Sequence, residues 1–293
     1  MTYIHFIVNP ISGKGTHSLT EAYIKSFFPE DKFRIEVDTT QHKGHAVALA
    51  KKAVMLNTDY VVACGGDGTI NEVASCIVNT DTKLGIIPVG SGNGLASNLQ
   101  IPRDFEAAMK IIRNGKTSMI DAGTINGHYF FSNTGLGIDA IVIRNYEDSG
   151  KRTLLSYIKA SLKASVNFMP AVTSVSYNNE TIVVKPFLLF ISNSNEMGYN
   201  MSLTPKASLN DGWLDLVIVP ELSFFGKLIL GYYVLRNKAE KFSRAKHVLV
   251  RDVHIEMPEK IFNDVQIDGE YHCFKTNTIT VSVLENALKV ITQ

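Results

Sequence analysis

Cysteine is scarce in this chain: Cys64, Cys76 and Cys273 are the only three in 293 residues, an odd number without the paired spacing of a zinc site. Such thiols fit a reducing cytoplasm better than a disulfide-stapled secreted scaffold, and buried apolar thiols are the expectation. Long apolar runs are missing too, so no segment is expected to span a bilayer. The N-terminal apolar stretch, residues 2–8, is too short for a signal-peptide core. Neither sign of charge is in excess: 29 Lys and Arg stand against 28 Asp and Glu, a formal net charge of +1. That balance argues against nucleic-acid binding by bulk electrostatics. Two nucleotide-binding signatures are lacking as well. No Gly-x-x-x-x-Gly-Lys-Ser/Thr occurs, and no clean Gly-x-Gly-x-x-Gly follows the first strand pattern, so neither a P-loop ATPase nor a Rossmann dehydrogenase is expected.

What is present is apolar and punctuated by glycine. With 45% hydrophobic and 19% charged residues, the chain can bury a sizeable core, enough for one large or two ordinary domains. The strand pattern Val61-Val62-Ala63-Cys64 runs into Gly65-Gly66-Asp67-Gly68, and a helical pattern follows from Thr69. Glycine lets a ligand approach the main chain there, and a helix start offers unpaired N–H groups to an anion. Asp67 is expected to hold a magnesium ion or a metal-bound water rather than to touch a phosphate itself. A helix cap in an ordinary tight turn is the alternative. The stretch 84–96 repeats strand, glycine turn and helix start at Gly90-Ser91-Gly92-Asn93-Gly94. Two such turns on neighbouring parallel strands would face one crevice.

Residues 2–8 read as a strand, Asn9-Pro10-Ile11-Ser12-Gly13-Lys14-Gly15 as a turn, and about 16–28 as a helix. Strands at 33–38, 60–64 and 84–88 alternate with helices, one of which ends near Asn57. This alternation predicts a parallel sheet with helices on both faces. His42 and His45 have no cysteine or carboxylate spaced with them as a metal set. Asp104 should cap a helix that Gly115 closes. From Ser118 onward the pattern changes to short apolar runs at 119–125, 129–131, 172–177, 181–184, 187–191, 214–219, 248–255, 264–267 and 278–283. That half should be mostly antiparallel sheet, a sandwich or flattened barrel. Within it only about 149–168 and 223–246 look helical. Both are basic and apolar, and the second reads either as a sheet-covering helix with a solvated basic face or as a surface that docks on an anionic bilayer.

These motifs resemble the diacylglycerol kinase and sphingosine kinase family of lipid kinases: Gly65-Gly66-Asp67-Gly68-Thr69-Ile70-Asn71-Glu72, then Pro88-Val89-Gly90-Ser91-Gly92-Asn93, between Asn9-Pro10-Ile11-Ser12-Gly13 and Asp268-Gly269-Glu270. The similarity covers nearly the whole chain. It implies an α/β, doubly wound parallel-sheet domain of the NAD kinase and diacylglycerol kinase type at 1–125, completed by about 284–293. A β-rich, antiparallel sandwich domain for the lipid substrate would occupy 126–283. The implied activity is ATP-dependent, magnesium-requiring phosphorylation of a membrane-lipid hydroxyl, most simply that of diacylglycerol. A sphingoid-base kinase, an NAD kinase-like enzyme and a lipid-sensing pseudokinase are the alternatives.

By the same resemblance, Asn9, Pro10, Ile11, Ser12, Gly13, Thr40, Gly66, Asp67, Gly68, Thr69, Ile70, Asn71, Glu72 and Ser91 would contact ATP. Locally, Thr40 reads equally well as a helix cap. Glu270 matches the proposed general base, although Ile267-Asp268-Gly269-Glu270 also reads as a plain hairpin turn. Asp121 matches an aspartate linked with Asp67 in a metal-water network. Asn133-Thr134-Gly135-Leu136-Gly137-Ile138-Asp139 reads as a third glycine-rich turn on the lipid side. The turn 208–215 resembles a structural magnesium site in bacterial members, with Asp211 and the carbonyls of Ser208 and Trp213 as ligands, or else an ordinary β-turn. One departure stands out: Gly94 follows Asn93 where bacterial diacylglycerol kinases usually carry aspartate, a pattern closer to sphingosine kinases. The expected setting is cytoplasmic, with peripheral association at the inner membrane face, no nucleic-acid partner, and a homodimer as one assembly.

Overall fold

The structure is a computed structural model that describes residues 1–13, 19–151, 153–198 and 201–293. Two compact units emerge from its internal contacts, one made of residues 1–120 and 286–293 and the other of residues 121–285.

The first unit contains β1 (Thr2–Val8), α1 (Glu21–Lys25), β2 (Phe33–Thr39), α2 (His45–Met55), β3 (Tyr60–Gly65), α3 (Asp67–Ile77), β4 (Lys83–Pro88), α4 (Gly94–Asn98) and α5 (Phe105–Asn114). Its strands pair in parallel in the order β2-β1-β3-β4, and near the chain's end Val290 pairs with Leu84 on the outer edge of β4. Fully buried runs such as Tyr60–Gly65 are what a parallel strand covered on both faces requires. The order matters for function. The chain leaves β1 toward β2 on one side and crosses to β3 on the other, so the carboxyl ends of β1 and β3 flank a topological switch point, where open α/β sheets bind ligands. Thr20 caps α1 by accepting the Tyr23 N–H, so that helix is shorter than the expected one, whose residues 16–18 lie outside the described set. Asp104 and Gly115 bound α5 as expected.

The second unit begins within β5 (Thr117–Ile125) and continues through β6 (His128–Phe130), β7 (Asn133–Gly137), α6 (Ile138–Asp148), α7 (Leu154–Asn167), β8 (Thr173–Tyr177), β9 (Glu180–Val184), β10 (Pro186–Ser192) and β11 (Leu214–Pro220). Then come α8 (Phe224–Leu235), β12 (Lys246–Val250), β13 (Asp252–Glu256), β14 (Asn263–Ile267), β15 (Glu270–Phe274) and β16 (Thr278–Ile291), whose last residues belong to the first unit. Six antiparallel strands run in the order β12-β11-β10-β7-β14-β15, and a second antiparallel set places β13 between β16 and β8, with β9 outside β8. Alternation decides the layers. Leu189, Ile191, Leu216 and Ile218 pack with Val175, Val253, Ile255 and Val281 in the sandwich core. Their neighbours Leu188, Phe190, Val217 and Val219 point the other way, onto Ile138 and Val142 of α6, Ala160 and Ala164 of α7 and Leu230 of α8.

Four sequence expectations are corrected here. Residues 138 and 139, read as the end of a glycine-rich turn, begin helix α6 in a stretch where no helix was expected, because burying Ile138, Val142 and Tyr146 on the sheet outweighs the strand preference of its β-branched residues. Residues 133–137 are a paired strand rather than a free glycine loop. The run 248–255 is two strands that belong to different sheets. The helix expected over 223–246 stops at Leu235, and only a single tight turn at Ala239–Lys241 follows.

Candidate functional site

In the first unit three loops converge at the carboxyl ends of β1, β3 and β4. Asn9 leaves β1 by donating its N–H to the Cys64 carbonyl at 2.9 Å, and its Nδ2 donates to Thr69 Oγ1 at 2.9 Å. The turn after β3 and the turn after β4 touch through their main chains: a β-carbon on Gly90 would lie 2.5 Å from Gly66 Cα, so Gly90 has to be glycine, and one on Gly66 would be tight against Gly90 Cα at 3.3 Å. Gly13 is equally close to the second turn, since a β-carbon there would meet the Val89 carbonyl at 2.4 Å. Thr40 hangs from the same edge, its N–H donated to the Val8 carbonyl at 2.9 Å.

Asp67 has a role that local sequence did not show. Its Oδ2 accepts the Asn93 N–H at 2.8 Å and its Oδ1 accepts the Gly94 N–H at 2.7 Å, so the carboxylate fastens the second glycine turn to the first. It is thus a cap, but on the neighbouring α4 rather than on its own helix. Asn93 has a left-handed backbone, φ 58°, and donates Nδ2 to the Gly90 carbonyl at 2.6 Å, while its buried Oδ1 has no partner among the described residues. Arg103 holds the Ser91 and Gly92 carbonyls at 3.0 and 2.9 Å. Glu72 accepts the Gly44 N–H at 2.9 Å, tying α3 to the loop before α2.

The expected nucleotide residues therefore do lie together, though not on equal terms. Asn9, Gly13, Gly66, Gly68, Thr69 and Ser91 line the three turns, and Pro10, Ile11 and Ser12 form the first of them, with Ile11 exposed. Ile70 buries its side chain in the core and donates its N–H to the Gly66 carbonyl, so it has least to offer a ligand. The Asn71 side chain accepts from Ser75 Oγ at 3.3 Å. Glycine turns, helix starts and little bulk suit a polyphosphate, and on that ground the residues fit ATP. A further charged cluster between β1 and β2 was not foreseen. Lys52 reaches Glu36 and Asp38 at 2.8 and 3.1 Å, and its hydrogen bond, followed by that of Tyr3, holds Glu36 at about 2.

In the second unit Glu270 opens β15 directly across from Ile267 of β14. Asp268 and Gly269 between them both have positive φ, 46° and 79°, the geometry of a two-residue hairpin turn. This turn is anchored on a scale that a plain surface hairpin lacks. Buried Asp268 accepts the N–H groups of Phe131, Ser132 and Asn133 at 2.9, 2.8 and 3.0 Å. Gln266 Oε1 accepts the Gly269 N–H at 2.9 Å, and Glu147 on α6 accepts the Tyr271 N–H at 3.1 Å. The position of Glu270 is thus set from three directions.

Asp139, at the start of α6, is the residue sequence reasoning singled out least and the structure treats most unusually. It is buried, its Oδ2 lacks a partner among the described residues, and a β-carbon on Gly135 would sit 2.0 Å from that oxygen. Burial pushes its carboxyl up to about 6, and a hydrogen bond from Gln266, which also holds Gly269, offsets part of the rise. Asp139 is one of the residues lining an apolar cavity of about 420 Å³ formed by α6, α7, α8 and β10. The signal that could have found it was a short one, an aspartate one residue past Gly137-Ile138 at an unrecognised helix start.

Asp121 is buried, and its Oδ2 accepts the Gly212 N–H at 2.8 Å, which joins it to the turn proposed for magnesium. In that turn Asp211 Oδ1 accepts the Trp213 N–H at 3.1 Å and Ser208 Oγ meets Asn210 Oδ1 at 3.0 Å, a geometry an ordinary Asx turn also has. Burial and then the neighbouring Asp211 charge push Asp215 up to about 6. Asp211 and Asp215 bring two carboxylates close together in this turn, the hard-oxygen chemistry that suits a magnesium ion.

Residues 3–125 match the model of the diacylglycerol kinase catalytic domain, and residues 132–292 match that of the YegS C-terminal NAD kinase beta sandwich-like domain. A diacylglycerol kinase of Bacillus subtilis (strain 168) is 29% identical over 276 residues, 92% of this chain and 90% of that one. A diacylglycerol kinase of Staphylococcus aureus (strain NCTC 8325 / PS 47) is 29% identical over 277 residues, 90% and 85% of the two chains. A crystal structure of a diacylglycerol kinase from Bacillus anthracis str. Sterne has the same fold, with a TM-score of 0.75 at 20% identity over 99% and 97% of the chains. Another structure from that organism reaches 0.82 at 23% identity over 99% and 95%. The two matched domains, in this order and over nearly the whole length, place the chain in the diacylglycerol kinase-like family of lipid kinases.

Proposed function

We propose that this protein is an ATP-dependent lipid kinase that transfers the γ-phosphate to the hydroxyl of a membrane lipid, with diacylglycerol as the acceptor class its named relatives bring forward. The observation that carries the acceptor side is the apolar cavity of the second unit. Asp139 lines it, and Gln266, which bonds to Asp139, holds the hairpin that carries Glu270. An apolar cavity with a carboxylate in its lining, bonded through one glutamine to the hairpin of Glu270, suits a lipid alcohol as acceptor.

On this reading Glu270 accepts the proton of the hydroxyl as it attacks, and the anchored hairpin keeps its carboxylate in place. Asn9, Gly66 with the first residues of α3, and Ser91 supply main-chain and side-chain donors for the phosphates, while Asp67 keeps the two glycine turns in register. Magnesium, when bound, neutralises phosphate charge or, at Asp211 with the Ser208 and Trp213 carbonyls, stiffens the turn to which Asp121 is bonded. Asp121 thus positions that turn from a buried site.

Contact with the bilayer falls to α8. Only Leu230 of that helix is buried, whereas Phe224, Phe225, Leu228, Ile229, Tyr232 and Leu235 are exposed. Monomeric proteins rarely expose such a contiguous set, and Arg236, Lys238, Lys241 and Arg244 follow it in sequence, as docking on an anionic inner membrane face requires. Among the described residues no helix is long and apolar enough to cross a membrane, and the attachment proposed is peripheral. The test is transfer of labelled γ-phosphate from ATP to a panel of diacylglycerol, monoacylglycerol, a sphingoid base and NAD. Label in a lipid supports the reading; label only in NAD, or in nothing, sinks it.

A further inference from the structure

We propose that His5, Glu36 and Asp38 bind one divalent transition-metal ion, zinc or cobalt in character, at a position where the ammonium of Lys52 is the competing cation. The site is independent of the lipid-kinase reading.

Strand pairing brings the three residues together. His5 of β1 lies beside Glu36 of β2, and Ile7 beside Asp38, so residues 5, 36 and 38 share one face of the sheet, and Lys52 reaches them from α2. Their ligand atoms all lie within 4.8 Å of one another, and His5 Nε2 is 3.0 Å from Asp38 Oδ2. Zinc bonds of about 2.1 Å at tetrahedral angles put neighbouring ligand atoms about 3.4 Å apart, so small side-chain rotations close the site. An imidazole with two carboxylates is a mixed nitrogen and oxygen set, which suits zinc or cobalt better than magnesium, an ion that prefers oxygen. His5 and Asp38 are 33 positions apart, too far for any local spacing to announce them.

Two features point to a metal rather than to ion pairing alone. The first is the imidazole. His5 is wholly buried, and its Nδ1 has no partner among the described residues, so the ring is committed to the cluster through Nε2. Burial lowers its pKa, which keeps the ring neutral, as a ligand must be. Moving the ring's hydrogen to Nδ1 frees Nε2 at the loss of one hydrogen bond, that to Asp38. The second feature is a cation already in place: Lys52 Nζ lies 2.8 Å from Glu36 Oε1 and 3.1 Å from Asp38 Oδ2. Two carboxylates match the charge of a divalent ion, and an ammonium supplies half of it. The Lys52 side chain is 46% exposed, so it can swing into solvent with its charge hydrated. Tyr3 donates its hydroxyl to Glu36 Oε2, which leaves Oε1 to the metal, and Arg34 is engaged over the Tyr3 ring at 4.2 Å.

The test titrates cobalt(II), then zinc(II), into the full chain after it has been stripped with a chelator. One cobalt per chain should bind with visible d–d absorption, which reports direct coordination, and zinc should displace it. Asp211→Ala should leave that signal unchanged, since the turn at 208–215 is a separate oxygen-only set. Glu36→Gln should weaken binding by about tenfold or more, whereas Lys52→Met should tighten it by about tenfold, because the competing charge is gone. A variant that merely folds poorly loses affinity, so the opposite signs of these two effects separate coordination from damage. Absence of d–d bands in the wild type, a Glu36→Gln protein that binds like the wild type, or a Lys52→Met protein that binds no more tightly overturns the site and leaves an ion-paired cluster.

Discussion

Replacing Asp139 by Asn should stabilise the protein at neutral pH and weaken that gain in acid. The carboxyl is wholly buried and its pKa is raised from 3.8 to about 6, chiefly by burial, so the folded state holds this proton more tightly than the unfolded one. For an acid shifted upward, the favourable contribution is present below the unfolded pKa and is lost as pH rises through the folded one. Each pKa unit is worth about 1.4 kcal/mol, so two units make the charged form cost on the order of 3 kcal/mol at pH 8 relative to strong acid. Between pH 5 and pH 8 the wild type should lose roughly 1.5 kcal/mol through this group alone. Asn cannot ionise, keeps the size that fits above Gly135, and still offers an oxygen to Gln266. Urea unfolding of both proteins at the two pH values isolates the effect, because every other titrating group is common to both. The variant's advantage should grow by roughly 1 to 1.5 kcal/mol from pH 5 to pH 8. An advantage that does not change with pH, or a variant less stable at pH 8, would refute the picture of an uncompensated buried carboxylate. Kept at such a cost, Asp139 is a candidate for work other than stability.

Glu270→Gln keeps the shape of the side chain but removes its basic site, so lipid phosphorylation should fall by roughly two to four orders of magnitude while nucleotide affinity hardly moves. Collapse of ATP binding in that variant, with turnover preserved at saturating nucleotide, would reassign the residue. Asp67→Asn should abolish turnover with the circular dichroism spectrum unchanged, since it loses charge and one of the two N–H bonds to the second glycine turn. Near-normal kinase activity in a folded variant would contradict that. Asp268→Ala should lower unfolding free energy by on the order of 3 to 5 kcal/mol, because it strands three buried N–H donors, and chemical denaturation reads this directly. Asp211→Ala should remove any rise in Tm produced by added magnesium, whereas an unchanged magnesium response would favour a plain Asx turn.

The sequence by itself determined the class of each half. Fully apolar strands alternating with helices demanded a covered parallel sheet, and short alternating runs after Ser118 demanded antiparallel layers, because period and burial are local properties of the chain. It also placed the glycine turns at the ends of strands, because glycines directly after an apolar run punctuate the chain locally. Tertiary structure decided what the polar side chains do. Asp67 bonds to residues 26 and 27 positions away, Asp121 to one 91 away, and Asp268 to three that precede it by 135 to 137. No local pattern records such partners. Helix α6 escaped for a related reason: its β-branched residues favour a strand on propensity alone, and only the sheet beneath turns the spacing of Ile138, Val142 and Tyr146 into the deciding term. With that helix went the burial of Asp139 and the cavity beside it, which exist only where α6, α7, α8 and β10 meet.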